Sequence, residues 1–179
     1  MSGAGVWAAR PAPDGLGATE ARVLAALDAL GVPYEVMGID PACADTAVFC
    51  ERYGVSLAHS ANAILVASKK EPKRYAACVV LATTQLDVNQ RVCGLLGVPR
   101  ASFATAEEMR AVTGMEVGGM TVFDLPPELP LYVDERVAAL PWVVVGGGGR
   151  GMKVRVSPEV FGKLGAQFVS GLGIERPRP

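Results

Sequence analysis

Apolar residues recur along this chain with two spacings, and each spacing predicts a different element. From Thr19 to Leu30 they return every three or four positions, as in an amphipathic helix. Thr19 is the candidate N-cap of this helix, and Gly31 stands where a C-terminal glycine belongs. Residues 34–39 alternate between apolar and polar side chains, as a half-buried strand does. The ordered part of the chain is therefore predicted to begin with a helix and a strand.

The same criteria predict further short elements in mixed order. The other predicted helices are 46–53, 88–96, 105–112 and 158–164, and the other predicted strands are 61–68, 75–83, 131–133, 142–145 and 152–156. Asp45 or Thr46 can cap the helix over 46–53, and the polar sequence KKEPKR should close a hairpin between the first two of these strands. Because strands outnumber long helices without strict alternation, the chain is predicted to be α/β of the α+β type. We expect a mixed, largely antiparallel sheet or barrel-like core surrounded by helices.

Composition predicts one domain with short ends. Residues 1–18 are rich in Gly, Ala and Pro and show no periodicity, so they are predicted to form a flexible leader. Residues 19–174 are predicted to form a single domain, since this length and a hydrophobic content of 50% suffice for a sizeable core. Residues 175–179 are predicted to be a tail.

Charge and cysteine usage exclude several classes of function. With 17 basic and 18 acidic side chains, the net charge of -1 creates no field that attracts polyanions from a distance, so any nucleic-acid contact must be local. The four cysteines are far apart and there is one histidine, so we expect no metal site, and we expect no cofactor. An export signal and an apolar run of about 20 residues are absent. A cytoplasmic protein with no membrane partner is therefore predicted.

A glycine cluster at 146–151 matches the dinucleotide-binding pattern GxGxxG by count. In such a fold the loop leads into a helix whose N-terminus holds a pyrophosphate. Here the glycines lead into the predicted strand 152–156. A turn between strands is therefore favoured over a nucleotide-dependent oxidoreductase.

Two other features each have a functional and a purely structural interpretation. His59 could act as a base, but no serine or cysteine motif accompanies it, and a lone loop histidine is usually solvated. The KKEPKR turn supplies enough cations to contact two or three RNA phosphates, although most such turns only keep a hairpin soluble. Its cations are Lys69, Lys70, Lys73 and Arg74.

A second glycine-rich segment follows the predicted helix over 105–112. Gly114, Gly118 and Gly119 lie within six residues and precede Thr121. Glycines allow the backbone to turn sharply and to bring N–H groups close to a ligand. Taken alone, the segment is better explained by the alternative, a structural turn.

Several short motifs occur in an order that resembles the YbaK/EbsC family. They are Thr46-Ala47, Gln85-Leu86-Asp87-Val88, Thr113-Gly114 followed by Val117-Gly118-Gly119, Tyr132-Val133-Asp134, and Arg150-Gly151. The resemblance extends over about residues 21–171. This family includes the Cys-tRNA(Pro) and Ala-tRNA(Pro) deacylases and the editing domain of bacterial prolyl-tRNA synthetases.

The resemblance implies hydrolysis of the ester between a mischarged small amino acid and the terminal ribose of tRNA. The implied partners are the acceptor end of tRNA and an aminoacyl-tRNA synthetase. The family relies on a lysine near the start of the first hairpin strand and on N–H groups of the glycine loop. In this chain Asn62 occupies the lysine position, and Val122 replaces the usual proline of the loop. An amide can donate a hydrogen bond, but it lacks the charge.

The resemblance also gives a set of candidate site residues. The candidates for catalysis are Asn62, Gly118, Gly119 and Asp134, and those for substrate binding are Tyr34, Thr46, His59, Gly114 and Thr121. Asp134 can either position an ammonium group or a water molecule, or cap a turn. Because Asn62 is neutral, a second function stays open. The chain can be a non-catalytic module that recognises charged tRNA, an amino acid or a synthetase.

Overall fold

An antiparallel hairpin of two long strands forms the centre of the fold. The computed structural model describes residues 5–9 and 15–176. In it β2 (Ala61–Ser68) pairs with β3 (Tyr75–Leu81), with Ala61 opposite Leu81. Most of these side chains are apolar and buried on both faces of the hairpin, so their burial favours pairing in this register. The hairpin predicted around KKEPKR is confirmed.

The strands form three sheets, and this hairpin belongs to the largest of them. The other strands are β1 (Tyr34–Gly38), β4 (Thr84–Leu86), β5 (Ala101–Phe103), β6 (Leu131–Asp134), β7 (Val143–Gly146), β8 (Met152–Val156), β9 (Gln167–Val169) and β10 (Gly173–Glu175). A mixed five-stranded sheet has the order β5-β2-β3-β6-β9, and antiparallel sheets have the orders β1-β8-β7 and β10-β4. An isolated bridge between Ser60 and Val144 links the two larger sheets. The predicted α+β class with mixed, largely antiparallel pairing is confirmed, and these sheets do not close into a barrel.

Short helices lie around the sheets. They are α1 (Ala18–Leu30), α2 (Thr46–Tyr53), α3 (Cys93–Leu96), α4 (Ala106–Thr113), α5 (Glu135–Ala138) and α6 (Glu159–Lys163). Asp45 caps α2 and Gly54 ends it, as predicted. The predicted N-cap of α1 is wrong: Gly17 occupies that position, and its N–H donates to the Glu20 carboxylate at 2.9 Å. None of the helices described is long and apolar enough to cross a membrane.

Three clusters of buried side chains hold the layers together. The largest lies between the two larger sheets, with Leu65 of β2 and Val154 of β8 on its two sides, and α1 covers it. A second cluster packs α3 against the opposite face of the hairpin. The third packs Phe49 and Cys50 of α2 against Val144 of β7. Helix α2 therefore covers the outer face of the three-stranded sheet, which positions it at the site described below.

Local departures from the prediction occur where chain geometry is irregular. The helix predicted over 88–96 consists of a π-helical turn at Val88–Val92 followed by α3, and the Asp87 side chain accepts from the Gln90 N–H at its start. The three-residue strands β4, β5, β9 and β10 are too short to show a period. The predicted leader falls partly on residues 1–4 and 10–14, and the tail partly on 177–179, all outside the described residues. Within the described part, Ala8 pairs with Val36 of β1.

Candidate functional site

A cavity of about 390 Å³ lies beside the first residues of β2. Three predicted site residues line it: Thr46 at the start of α2, Asn62 in β2 and Gly118 in the loop after α4. Asp45 and Lys153, which the sequence analysis did not single out, line it as well. The other lining residues are apolar or glycine. An apolar hollow with a few polar groups is the usual composition of a small-molecule site.

Asn62 and Thr46 form a hydrogen-bonded pair at the wall of this cavity. The Thr46 hydroxyl donates to the Asn62 side-chain oxygen at 2.7 Å. Thr46 is held there because it begins α2, directly after the Asp45 cap. In the described part of the chain, no group accepts a hydrogen bond from the Asn62 side-chain nitrogen. The N–H groups of the Asn62 amide therefore remain as donors for a ligand.

Lys153 brings a positive charge into the same cavity. Its side chain is 5% exposed, its Nζ donates to the Ala44 carbonyl at 2.8 Å, and this nitrogen lies 5.2 Å from the centre of the Phe49 ring. Burial lowers the pKa of Lys153 to about 8, since the charged form loses hydration, although Cys50 and Asp45 favour the ammonium. A lysine in an alternating strand is normally solvated. Its burial depends on the packing of α2, which no local pattern around Lys153 indicates.

Asp45 provides the opposite charge at the mouth of the cavity. Its carboxylate accepts from the Ala47 N–H at 3.1 Å, which caps α2, and the residue remains exposed. Among the described lining residues, Asp45 and Lys153 are the two with charged side chains. The cavity can therefore offer separate contacts to a cationic group and to an oxygen that carries negative charge.

The glycine loop is fixed by Arg150. Gly118 has a φ of 88°, a left-handed conformation that favours glycine. The Arg150 guanidinium donates to the Val117 carbonyl at 2.9 Å and to the Pro41 carbonyl at 3.2 Å, so it connects this loop to the turn before α2. In the part of the chain described, no hydrogen bond uses the Gly118 N–H. This amide is available to a ligand in the cavity.

Gly119 has a structural position rather than one in the cavity lining. Its N–H donates to the Glu116 carbonyl at 3.1 Å, and its carbonyl accepts from the Gly148 N–H at 2.6 Å. A side chain at Gly119 would overlap the Gly149 carbonyl oxygen. The 146–151 cluster joins β7 to β8, as the favoured turn interpretation required. The Gly119 N–H already has an acceptor within the loop, unlike the N–H of Gly118 in the described part of the chain.

Asp134 lies outside the cavity lining and is satisfied by structural contacts. Its side chain, only 2% exposed, accepts from the N–H groups of Arg136 at 2.8 Å and Gly173 at 2.6 Å, and it pairs with the Arg136 guanidinium at 3.1 Å. Burial opposes ionisation, but these donors outweigh it, so the pKa of Asp134 lies below its ordinary value. Both carboxylate oxygens hold α5 and β10 in place, which agrees with the alternative that Asp134 caps a turn.

Four predicted substrate-binding residues also lie outside the cavity lining. The Tyr34 hydroxyl donates to Asp28 at 2.7 Å. The His59 ring stacks on Trp142 with centroids 4.3 Å apart. Gly114 ends α4 with a φ of 70°. Thr121 is fully buried, and its hydroxyl lacks a hydrogen-bond partner in the described part of the chain. The order of motifs along the chain does not encode these placements.

Two of the four cations of the KKEPKR turn contact other parts of the fold, and the other two lie at its tip. Arg74 donates to the Leu96 carbonyl at 2.9 Å, and Lys73 forms an ion pair with Glu108 at 3.2 Å. Lys69 and Lys70 are exposed at the tip of the hairpin. Lys69 is roughly 23 Å along β2 from Asn62 and roughly 13 Å from Leu65, the cavity-lining residue of β2 nearest the tip, at about 3.3 Å per residue. These two lysines can contact only a ligand much larger than the cavity.

A second cavity of about 500 Å³ shares a wall with the first. Asn62, Ile64 and Phe103 line both, and the Phe103 side chain is 57% exposed. Gln85 and Asn89 add amide groups to the second cavity. Together the two cavities can hold a small group on one side of Asn62 and a larger, partly aromatic group on the other.

Comparisons with known proteins identify a family and similar folds. Residues 40–164 match the family model of the aminoacyl-tRNA editing domain. The crystal structure of a candidate trans-editing enzyme for prolyl-tRNA synthetase shares the fold, with a TM-score of 0.75, 24% identity, and coverage of 87% of this chain and 98% of that one. The crystal structure of a hypothetical protein matches with a TM-score of 0.76, 25% identity, and coverage of 86% and 99%.

Proposed function

Because the chain belongs to the aminoacyl-tRNA editing domain family, as its resemblance to the YbaK/EbsC proteins predicted, we propose that it is a trans-acting deacylase. It hydrolyses the ester that joins a mischarged small amino acid to tRNA, of the Cys-tRNA(Pro) or Ala-tRNA(Pro) type. The observation that carries this proposal is the cavity in which Thr46, Asn62 and Gly118 meet beside two opposite charges.

The groups of the cavity match the parts of an aminoacyl ester. The α-ammonium group of the amino acid pairs with the Asp45 carboxylate at the mouth. A small side chain fits against the apolar wall, which includes Met109 and Met120. The amides of Asn62 and Gly118 donate to the ester carbonyl, where negative charge develops during hydrolysis. Larger side chains are excluded because the lining is formed by packed strands and by α4.

The second cavity accommodates the end of the tRNA. Its shared wall places it next to the bond that is broken, so the terminal ribose lies near Asn62 and the terminal base stacks on Phe103. Lys69 and Lys70 then contact phosphates farther along the acceptor arm. With a net charge of -1, binding depends on such local contacts rather than on a general positive field.

A deacylation panel tests the proposal. The purified chain is incubated with tRNA carrying Cys, Ala, Ser or Thr, and release of free amino acid is compared with release in buffer. tRNA carrying Phe serves as the size control. We expect hydrolysis of at least one small amino acid and none of Phe. If no member of the panel is hydrolysed faster than in buffer, the chain is not a deacylase of this type.

The neutral Asn62 favours a second candidate, a non-catalytic module that recognises charged tRNA, an amino acid or a synthetase partner. The Asn62→Lys variant separates the two functions. Gain of hydrolysis with unchanged tRNA affinity supports the binding module, because it means that the fold lacks only the charge. Loss of a measurable wild-type activity supports the deacylase, because it means that Asn62 itself contributes.

A further inference from the structure

We propose that Lys153 is a catalytic residue, whose ammonium group donates to the carbonyl oxygen of the ester and supplies the positive charge that Asn62 lacks. This inference rests on the proposed deacylase function. It places the positive charge on β8, whereas the family lysine position, held here by Asn62, lies on β2. The cavity receives side chains from both strands, so the same reacting atom can be approached from either wall.

The placement of Lys153 follows from the sheet. In β8 it lies opposite Met37 of β1 and Gly146 of β7, and Gly146 also lines the cavity. A side chain at Gly146 would overlap the Met120 and Gly119 carbonyl oxygens, so this glycine lets the glycine loop pack against the strand beside Lys153. On the outer face of the sheet, Phe49 of α2 lies against the ammonium, which is directed to the Ala44 carbonyl at the cavity wall. Among the described lining residues, Lys153 is the one that carries a positive charge.

The ammonium group has unused donors. A lysine Nζ carries three N–H groups, and one donates to the Ala44 carbonyl. No other acceptor is within hydrogen-bond distance in the described part of the chain, so two donors remain for a ligand. A purely structural lysine that only anchors the turn before α2 would need neither the cavity nor these donors.

Several ionisable side chains around Lys153 affect its pKa. Asp45 and Cys50 face it from α2 and its cap, and Arg150 from the loop before β8. Burial lowers the pKa of Lys153 to about 8, which leaves most molecules protonated at neutral pH. A poorly hydrated ammonium interacts more strongly with a developing negative charge than a solvated one does. Activity that depends on it should decline as pH rises through about 8.

The reaction requires only water and the ester. The water oxygen adds to the carbonyl carbon, the carbonyl electron pair moves to its oxygen, and the water gives up a proton to solvent. Lys153 stabilises the resulting oxyanion through an N–H donor and keeps its own proton. When the oxyanion collapses, the carbon–oxygen bond to the ribose breaks, and the ribose oxygen takes up a proton. Free amino acid and tRNA are the products.

Four variants test the role of the charge. Lys153→Gln keeps a donor for the Ala44 carbonyl but removes the charge, and Lys153→Met removes both. Lys163→Gln is the matched control, since the Lys163 Nζ also donates to a carbonyl, that of Leu30, at 3.2 Å and is exposed. The fourth variant combines Lys153→Met with Asn62→Lys, which returns a charge to the cavity from the other wall. Circular dichroism identifies variants that are folded.

We expect Lys153→Gln and Lys153→Met to lower kcat about a hundredfold with a smaller effect on KM, as loss of an oxyanion donor does. In both variants the decline of kcat above about pH 8 should disappear, because the titrating amine of Lys153 has been removed. The double variant should recover at least tenfold of the lost rate, and Lys163→Gln should match the wild type. Rescue by the double variant would also exclude a mere folding defect.

Two results would overturn the proposal, and they differ. If the wild type hydrolyses the panel and folded Lys153→Gln retains its kcat and pH profile, Lys153 has no catalytic role, while the deacylase function stands. If the wild type hydrolyses no charged tRNA, both proposals fail together. If Lys153→Met is folded but slow and the double variant shows no rescue, the charge cannot act from β2, and the inference that the reacting atom can be approached from either wall is wrong.

Discussion

At the scale of single residues, the buried charges of Asp134 and Lys153 differ in how they are stabilised. Asp134 is surrounded by donors, so its charge is stabilised and its pKa lies below the ordinary value. Lys153 has one carbonyl acceptor and an aromatic ring, so its pKa falls to about 8. Asp134 therefore belongs to a structural ion pair, whereas Lys153 lies next to a cavity and has fewer groups that stabilise its charge. Groups of the second kind concentrate at functional sites.

The pH dependence of stability should report the burial of Lys153. Between its pKa of about 8 in the folded protein and 10.5 in the unfolded chain, the unfolded chain binds more protons. The free energy of unfolding of the wild type, relative to Lys153→Met, should therefore rise from pH 8 to 10.5. The full change is on the order of 3 kcal/mol. Urea unfolding at a series of pH values measures it, and parallel curves would contradict the lowered pKa.

Asp134→Asn should destabilise the protein at pH 7 by about 2–4 kcal/mol, because a buried carboxylate loses its pairing with Arg136 and Gly173. Since the folded pKa is below 3.8, this stabilisation is present above pH 3.8 and is lost as pH falls through the folded value. Urea unfolding measures both effects. The exposed Glu128→Gln is the control and should change stability little. The kcat of the folded variant should be unchanged, and a large loss of kcat would return Asp134 to the active site.

At the scale of elements, the cavity depends on a contact between two glycine loops. The 116–120 loop and the 146–151 loop approach so closely that their backbones are joined by the Gly148 N–H and the Gly119 carbonyl. Arg150 connects the same pair to the turn before α2. These contacts position the Gly118 amide and the Lys153 ammonium relative to each other. The two glycine-rich motifs therefore act together, although each was interpreted separately in the sequence.

Gly119→Ala tests this contact. The new methyl group would overlap the Gly149 carbonyl oxygen, which is backbone and cannot rotate away, so we expect a loss of about 2 kcal/mol or more. Gly94→Ala is the matched control, since Gly94 is an exposed position of α3 with open space around it. It should stabilise the protein by about 0.5–1 kcal/mol. Thermal unfolding of both variants measures the difference, and similar melting temperatures would refute the close approach.

At the scale of the whole molecule, the proposed binding of a tRNA extends from the cavity to the hairpin tip. The balanced net charge provides no general attraction, so affinity depends on particular cations. Lys73 and Arg74 are engaged within the fold, which leaves Lys69 and Lys70 for the ligand. The long hairpin thus separates chemistry at one end of β2 from phosphate contact at the other.

The double variant Lys69→Ala, Lys70→Ala should bind tRNA more weakly and with a lower salt dependence. Each lost phosphate contact reduces the slope of log K against log salt by about 0.7–0.9, so the slope should fall by about one to two. A charge-matched control, Arg110→Ala with Lys163→Ala, should leave the slope unchanged. Fluorescence anisotropy at several salt concentrations measures it. An equal fall for both double variants would indicate a diffuse electrostatic effect instead of the hairpin tip.

Local signals were sufficient for much of the fold. The helix that Gly54 ends and the hairpin over 61–81 depend on neighbours along the chain, namely capping side chains, left-handed glycines and runs of apolar residues. Such features act within a few positions, so the sequence shows them directly. The order of motifs likewise identified the family, and it placed Thr46, Asn62 and Gly118, which meet at one cavity.

Packing between distant elements determined the burial and the contacts of the charged side chains. Alternation in β8 shows that Lys153 and Arg155 share a face, but not that α2 covers one of them. The same is true of Asp134, whose partner Gly173 is far away in sequence. A period along a strand reports which side chains point the same way, whereas burial and charge depend on what lies across the space between elements. For that reason, the presence of the Lys153 ammonium at the cavity follows from the packing of β8, α2 and the glycine loop, and not from the sequence pattern of β8.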